Sequence, residues 1–267
     1  MTGTGNAQSS VPYAIELKGI TKTFGTVIAN NNIDLSVRQG EILALLGENG
    51  SGKTTMIKLM VSILKPNQGT IEINGIDLNN MTIKERSKLV AYVPQLVKAD
   101  YDFLVSDYLS FSLVNQIEGF RSPTIKQKEK IIELAKQFKI ENLMDKKLNN
   151  LSGGERQIVS ICSAFIQETP IIILDEPTSA LDLKNQATVI KILKEWNRRK
   201  EKTFILSTHN PNHALSLGGH TVILHDNKVL SHGESRKIVT VETLKPVYGD
   251  IIDYASNIEY KVITTKD

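Results

Sequence analysis

The chain has 267 residues, 40% of them apolar, with 32 basic and 29 acidic side chains and a formal net charge of +3. That is enough apolar material for one large α/β domain with an insertion, or two small domains, and the charge is too balanced to mark a nucleic-acid binder by itself, so solvated surface is the better reading and no nucleic-acid partner is expected. The lone cysteine, Cys162, excludes an internal disulfide and fits a reducing compartment, and no apolar run reaches the roughly 18 residues of a membrane-spanning helix.

Met1 to Pro12 is rich in Gly, Ser, Thr and Asn, with neither a basic start nor an apolar core, so residues 1–12 read as a disordered tail of a cytoplasmic protein. From Ala14 to Leu17 and from Ile33 to Val37, apolar and polar residues roughly alternate, as in strands with one buried face; Lys22-Thr23-Phe24-Gly25 lies between them. Ile42 to Leu46 is continuously apolar, the pattern of a central strand buried on both faces.

That strand runs into Gly47-Glu48-Asn49-Gly50-Ser51-Gly52-Lys53-Thr54-Thr55 and then into the helix-like Met56-Ile57-Lys58-Leu59-Met60. The spacing is G-x-x-x-x-G-K-[ST] between a strand and a helix, in which glycines accept the turns that let successive N–H groups curl around an anion. The helix N-terminus favours negative charge, Lys53 reaches β- and γ-phosphates, and the Thr54 hydroxyl can bind Mg²⁺. The expected ligand is a nucleoside triphosphate.

Gly69 to Gly75 reads as another alternating strand with Asn74-Gly75 as a hairpin turn, which predicts an antiparallel sheet beside the phosphate loop. Leu89 to Gln95 is a strand stopped by Pro94. Helical spacing then runs for about fifty residues, with a helix start at Ser106-Asp107 and a second helix after Pro123-Thr124 whose apolar face is Ile131, Ile132, Ala135 and Phe138. Residues 96–150 are therefore expected to be an inserted α-helical subdomain. Leu151-Ser152-Gly153-Gly154-Glu155-Arg156-Gln157 has the form of a capped helix start, Ser152 with Glu155 making a capping box, and offers a second anion site.

Ile171 to Leu174 ends in Asp175-Glu176-Pro177, two carboxylates at the C-terminal end of a buried strand, where α/β sheets bind ligands. Asp175 is the expected metal residue and Glu176 the general base or water-orienting carboxylate. A helix from Lys184 to Arg199, a strand from Thr203 to Ser207 and a hairpin turning at Asp226-Asn227 complete the pattern, with right-handed parallel crossovers. Cys162, among apolar neighbours, is expected to be a buried thiol.

Gly47–Thr55, Gln95, Leu151–Gln157, Leu174–Pro177, Ser179-Ala180-Leu181-Asp182 and His209 stand in the order and at the spacings of the ATP-binding cassette (ABC) ATPases. The stretch from about Ala14 to Leu230 resembles that family. The resemblance implies an α/β fold: a P-loop NTPase core with a mostly parallel sheet, an antiparallel β subdomain and the inserted helical subdomain, over residues 13–250, with 251–267 as a C-terminal tail. It implies that Phe24 stacks on adenine and that Gln95 joins the Mg²⁺ site to the helical insertion. Ser152, Gly153 and Gly154 would contact the γ-phosphate bound to a second copy of the chain, Asp182 would cross the interface of this homodimer, and His209 would hold the γ-phosphate.

Two further stretches, His209 to Leu215 and Glu242 to Gly249, resemble the ATPases of iron–siderophore and cobalamin uptake, whereas Ser112 to Ser122 departs from that subfamily's pattern. The expectation is an ATPase at the cytoplasmic face of the plasma membrane, peripheral to it, that powers transmembrane permease subunits and, through them, serves an extracytoplasmic substrate-binding protein. The alternatives are an exporter ATPase with the same motifs, and a DNA-repair or translation-linked ATPase of the same superfamily, which usually carries a coiled-coil insertion or tandem cassettes.

Overall fold

A computed structural model describes residues 12–95, 102–114, 116, 122–254 and 263–265. The N-terminal stretch 1–11, the first residues of the expected insertion (96–101), most of Ser112 to Ser122 (115 and 117–121) and residues 255–262 and 266–267 lie outside the described residues.

Strands β1 (Tyr13–Phe24) and β2 (Val27–Arg38) pair antiparallel, with Phe24 opposite Val27 across the Gly25-Thr26 turn. They are longer than the alternation around Ala14 and Ile33 suggested, because polar positions such as Lys22 and Asn30 stay paired across shifts in register. Strand β3 (Ile42–Leu46) is buried at every position and leads into helix α1 (Lys53–Met60). Strands β4 (Gln68–Ile73) and β5 (Ile76–Asp77) turn on Asn74 (φ 50°) and Gly75 (φ 77°), both left-handed as the hairpin turn requires. Helix α2 (Ile83–Leu89) was not anticipated, although Thr82 and Glu85 form a complete capping box at its start; it takes Leu89 from the expected strand, leaving β6 as Val90–Val93.

Helix α3 (Val105–Phe111) corrects the expected start at Ser106-Asp107. Leu104 is its cap position, and the first-turn N–H groups of Val105 and Ser106 donate to the carbonyls of Lys146 and Met144, so no side-chain cap is needed. Helix α4 (Ile125–Phe138) begins at Thr124, capped reciprocally by Gln127. Its buried face is Ile131, Leu134, Ala135 and Phe138; Ile132 is 50% exposed and does not belong to it. The i, i+3, i+4, i+7 spacing from residue 131 selects Leu134, and a residue one position on from 131 lies about 100° round the helix. Helix α5 (Gly153–Ile166) follows, then β7 (Ile171–Leu174), α6 (Leu183–Arg198), β8 (Thr203–Thr208) and α7 (Pro211–Leu217). The chain continues through β9 (His220–His225), β10 (Lys228–Glu234), α8 (Ser235–Ile238) and α9 (Val241–Tyr248), then β11 (Ile252–Tyr254) and β12 (Ile263–Thr265).

The strands form a sheet of order β10-β9-β3-β8-β7-β6, parallel from β9 to β6 with β10 antiparallel at the edge, and an antiparallel sheet of order β2-β1-β4-β5. The mixed α/β class read from the sequence holds. Residues alternate between two cores along the central strands. Ile172, Leu174, Phe204 and Leu206 face the helices that include α3, α4 and α5, whereas Ile171, Ile173 and Ile205 face α1 and the antiparallel sheet. A third core packs α7 and α9 over Ala44, Leu46 and Ile223. Because β3, β7 and β8 run in parallel, their C-terminal ends bring Gly47, Asp175 and His209 to one edge of the sheet. The two-stranded pair β11–β12, with Ile252 buried, gives part of 251–267 regular structure that a tail would not have.

Candidate functional site

The phosphate loop is built by close backbone packing. A Cβ at Gly47 would meet the carbonyl oxygen of Leu224 at 2.4 Å, and one at Gly52 (φ 95°) would meet that of Ala29 at 2.2 Å, so glycine alone fits both places. The Nζ of Lys53 donates to the carbonyls of Gly47 (2.8 Å) and Glu48 (2.7 Å), which folds the loop over its own lysine. Burial lowers the pKa of that ammonium, and the negative charges of Glu176, Asp175 and Glu48 oppose the shift. The ammonium can meet an anion from the cavity side, while the carboxylates beside it are the groups a divalent cation would neutralise.

At the end of β7 the paired carboxylates take different environments. Asp175 Oδ1 accepts from Thr54 Oγ1 (3.0 Å) and from Ser207 Oγ (2.7 Å). Glu176 adopts φ 44°, an unfavourable left-handed backbone for this residue type, and its N–H donates to the same Ser207 Oγ at 2.8 Å. Ser207 thus holds the backbone of one carboxylate and the side chain of the other. The Glu176 side chain receives Gln95 Nε2 at 3.1 Å and lies 3.4 Å from His209 Nδ1 and 3.9 Å from Lys53 Nζ. Both carboxylates are buried, while the His209 side chain is 55% exposed.

A cavity of about 410 Å³ opens between these groups, lined by residues that include Asn49, Gly50, Gly52, Lys53, Thr54, Thr55, Gln95 and Glu176. Val27, Ile28 and Ala29 of β2 and Asn227 form its far wall. The structure therefore brings together Gly47, Asn49, Gly50, Ser51, Gly52, Lys53, Thr54, Thr55, Gln95, Asp175, Glu176 and His209. It does not bring Phe24 into the cavity lining: Phe24 sits exposed at the β1–β2 turn with Lys22 Nζ 5.1 Å from its ring centre. Ser152, Gly153, Gly154 and Asp182 do not line it either. Ser152 caps α5, accepting from Glu155 N, and Asp182 caps α6, accepting from Asn185 N, as their local sequences dictate. A larger groove, about 580 Å³, runs between α6 and α7 but has neither the glycine amides nor the carboxylate pair.

Sequence reasoning missed Ser207, although its place two residues before His209 at the end of a buried strand put a hydroxyl beside β7. Asn30 was also missed: buried in β2, it donates Nδ2 to the Gly52 carbonyl (3.3 Å) and fixes the loop from below. Cys162 is buried in α5 and its thiol is pushed up in pKa by that burial, as expected of a structural thiol.

The residues fit a phosphate group and a divalent cation. Ser51 Oγ is a buried hydroxyl with no protein partner, Gly47 and Gly52 admit no side chain, and Thr54 with Asp175 offers the hard oxygen donors a magnesium ion takes. A glycine cradle at a helix start, opposed by acidic residues from the next strand but one of the same parallel sheet, is the construction of a P-loop nucleoside triphosphatase. The family model described as ABC transporter matches residues 30–179, and the chain belongs to that family. It is similar to a probable iron chelatin transport ATP-binding protein of Helicobacter pylori, 32% identical over 236 residues that cover 88% of this chain and 92% of that one. An uncharacterized ABC transporter ATP-binding protein of Methanocaldococcus jannaschii is 38% identical over 225 residues, 82% of this chain and 85% of that one. Among solved structures, a chain described as part of an inward-facing, metal-chelate type ABC transporter aligns with a TM-score of 0.79 and 25% identity, covering 96% of this chain and 98% of that one. A dimeric bacterial ABC transporter cassette aligns with a TM-score of 0.75 and 29% identity, over 83% of this chain and 99% of that one. The chain is an ATP-binding, ATP-hydrolysing subunit of an ABC transporter. No helix among the described residues is long and apolar enough to cross a membrane.

Proposed function

We propose that this chain is the ATPase of an importer, works as a homodimer closing on two ATP molecules, and powers uptake of an iron–siderophore or a related metal chelate. The observation that carries the catalytic reading is the Glu176 carboxylate, buried and surrounded by Gln95, His209 and Lys53 within 3.9 Å. Thr54 and Asp175, with Gln95, would hold Mg²⁺, which supplies charge neutralisation on the phosphate oxygens when bound. Lys53 and the amides of the phosphate loop bind the β- and γ-phosphates, Glu176 orients the attacking water and takes its proton, and His209 steadies the γ-phosphate. Phe24, exposed at the end of β1 opposite the cavity-lining Val27, would stack on the adenine.

Ser152, Gly153, Gly154 and Asp182 serve the nucleotide of a second chain. Ser152, Gly153 and Asp182 are exposed and Gly154 is half-buried, all away from the cavity of their own chain, which supports this, as does similarity to a cassette described as dimeric. Replacing Ser152 by arginine is expected to spare ATP binding by the monomer and abolish turnover. Mixing it with Lys53→Ala leaves one composite site with both defects and one with neither, so partial ATPase recovery is expected on subunit exchange. No recovery with proven mixed dimers would contradict a site shared between chains.

The cargo reading rests on relatives named for iron chelatin, siderophore and achromobactin transport, which align over 88% of this chain. The permease subunits and the external binding protein select that cargo, and this chain drives them from the cytoplasmic face of the membrane. Deleting the gene should reduce uptake of a radiolabelled iron–siderophore severalfold and leave sugar and amino-acid uptake unchanged. Unchanged iron–siderophore uptake in a strain without redundant systems would remove the cargo assignment, and a fall in drug or lipid efflux would put an exporter in its place.

A further inference from the structure

The segment Glu242 to Gly249 has no part in the chemistry described so far, yet it ends within the active-site edge. Helix α9 packs Val241, Leu244 and Val247 into the core shared with Ala44, Leu46 and Ala214, and this fixes where its last residue emerges. That residue is Tyr248, whose hydroxyl donates to the backbone carbonyl of His209 at 2.9 Å. Gly249 (φ 75°) ends the helix immediately afterwards, with its N–H donating to Lys245 O.

His209 needs such a tether. The pairing of β8 with β3 ends at Thr208 and α7 begins at Pro211, so His209 belongs to neither element. The following turn is tied locally: Asn210 N–H donates to Thr208 Oγ1 at 3.0 Å, and Asn210 Oδ1 accepts from Asn212 N at 2.9 Å. His213 Nδ1 lies 3.4 Å from Thr208 Oγ1 and 3.3 Å from Thr178 Oγ1, which ties the same turn to the segment after Glu176. Tyr248 reaches the His209 peptide itself, and it comes from a different part of the chain.

We propose that Tyr248 is a positioning residue for ATP hydrolysis: through its bond to the His209 carbonyl it holds the imidazole at the distance from Glu176 that the reaction uses. The inference rests on the role given to His209 above. Burial, with Glu48 and Glu176 nearby, raises the pKa of the Tyr248 phenol, so the hydroxyl remains a donor at every pH at which the protein works. Loss of a neutral hydrogen bond releases the peptide without removing the ring that fills the gap between α9 and the site.

Steady-state ATPase kinetics of the intact chain test this with Tyr248→Phe, His209→Ala and the double variant, alongside Lys245→Ala, a change at an exposed position of the same helix. Tyr248→Phe should lower kcat about fivefold, the value of one such bond, with KM for ATP within about twofold and the melting temperature within a few degrees. Lys245→Ala should be as active as the wild type. In the His209→Ala background the Tyr248→Phe change should have no further effect, because the group being positioned is gone. An equal loss in both backgrounds, or a loss that follows the melting temperature, would make Tyr248 merely structural and overturn the proposal. A large loss from His209→Ala with none from Tyr248→Phe overturns the tether alone, whereas full activity of His209→Ala removes the reading of His209 itself.

Discussion

Replacing Glu176 by glutamine should leave ATP binding within a few-fold of wild type and lower kcat by at least about 100-fold, the usual range for losing a general base. The amide keeps the side-chain shape and can still face Gln95 and His209, so the cavity should keep its form, but it cannot take a proton from water. The left-handed backbone at residue 176 is held by the bond from its N–H to Ser207 Oγ, which the substitution does not touch. A loss in kcat with unchanged nucleotide affinity is therefore the expected signature, read by phosphate release beside equilibrium binding of a fluorescent ATP analogue. A variant that loses binding and turnover together would show that Glu176 shapes the pocket instead of acting on water.

Lys53→Ala should fail at both stages. The lysine ties Gly47 and Glu48 to the loop and is the cation buried opposite Asp175 and Glu176, so its removal leaves two carboxylates facing an incoming polyanion uncompensated. ATP affinity should fall at least about tenfold and turnover at least about 100-fold, since one charge-assisted contact to phosphate contributes on the order of 1.5–3 kcal/mol and the lysine also stabilises the transition state. Arginine should not restore activity: its planar fork is longer and wider than an ammonium in a slot bounded by two carbonyls at 2.7–2.8 Å. Near wild-type hydrolysis by Lys53→Ala would sink the nucleotide-site assignment.

What could be read from the sequence was whatever its local chemistry imposes. The all-apolar runs at 42–46 and 171–174 gave central strands because a strand buried on both faces has no polar positions to alternate. The capping pair at Ser152–Glu155, the helix boundary at Thr124 and the left-handed turns at Asn74-Gly75 and Asp226-Asn227 stand where residue type demands them, whereas the equally local Thr82–Glu85 box of α2 went unread. The phosphate loop and the carboxylate pair were legible for the same reason, since each is a short stretch joined to one strand. What stayed hidden depends on distant partners. The start of α3 is set by carbonyls forty residues away, Ser207 acts only because β8 lies beside β7, and Tyr248 matters because α9 packs under α7. Ile132 was misplaced for a simpler cause, as two adjacent isoleucines cannot share one helical face. Phe24 was read from resemblance alone, and its turn is outside the cavity lining in this conformation.

Light scattering of Glu176→Gln at micromolar concentration, with and without Mg·ATP, tests most directly that two chains close on bound nucleotide. The account predicts one chain's mass without nucleotide and two with it, reverting to one when Ser152→Arg is added to the same chain. A single-chain mass under both conditions, with nucleotide binding verified in the same sample, would contradict it.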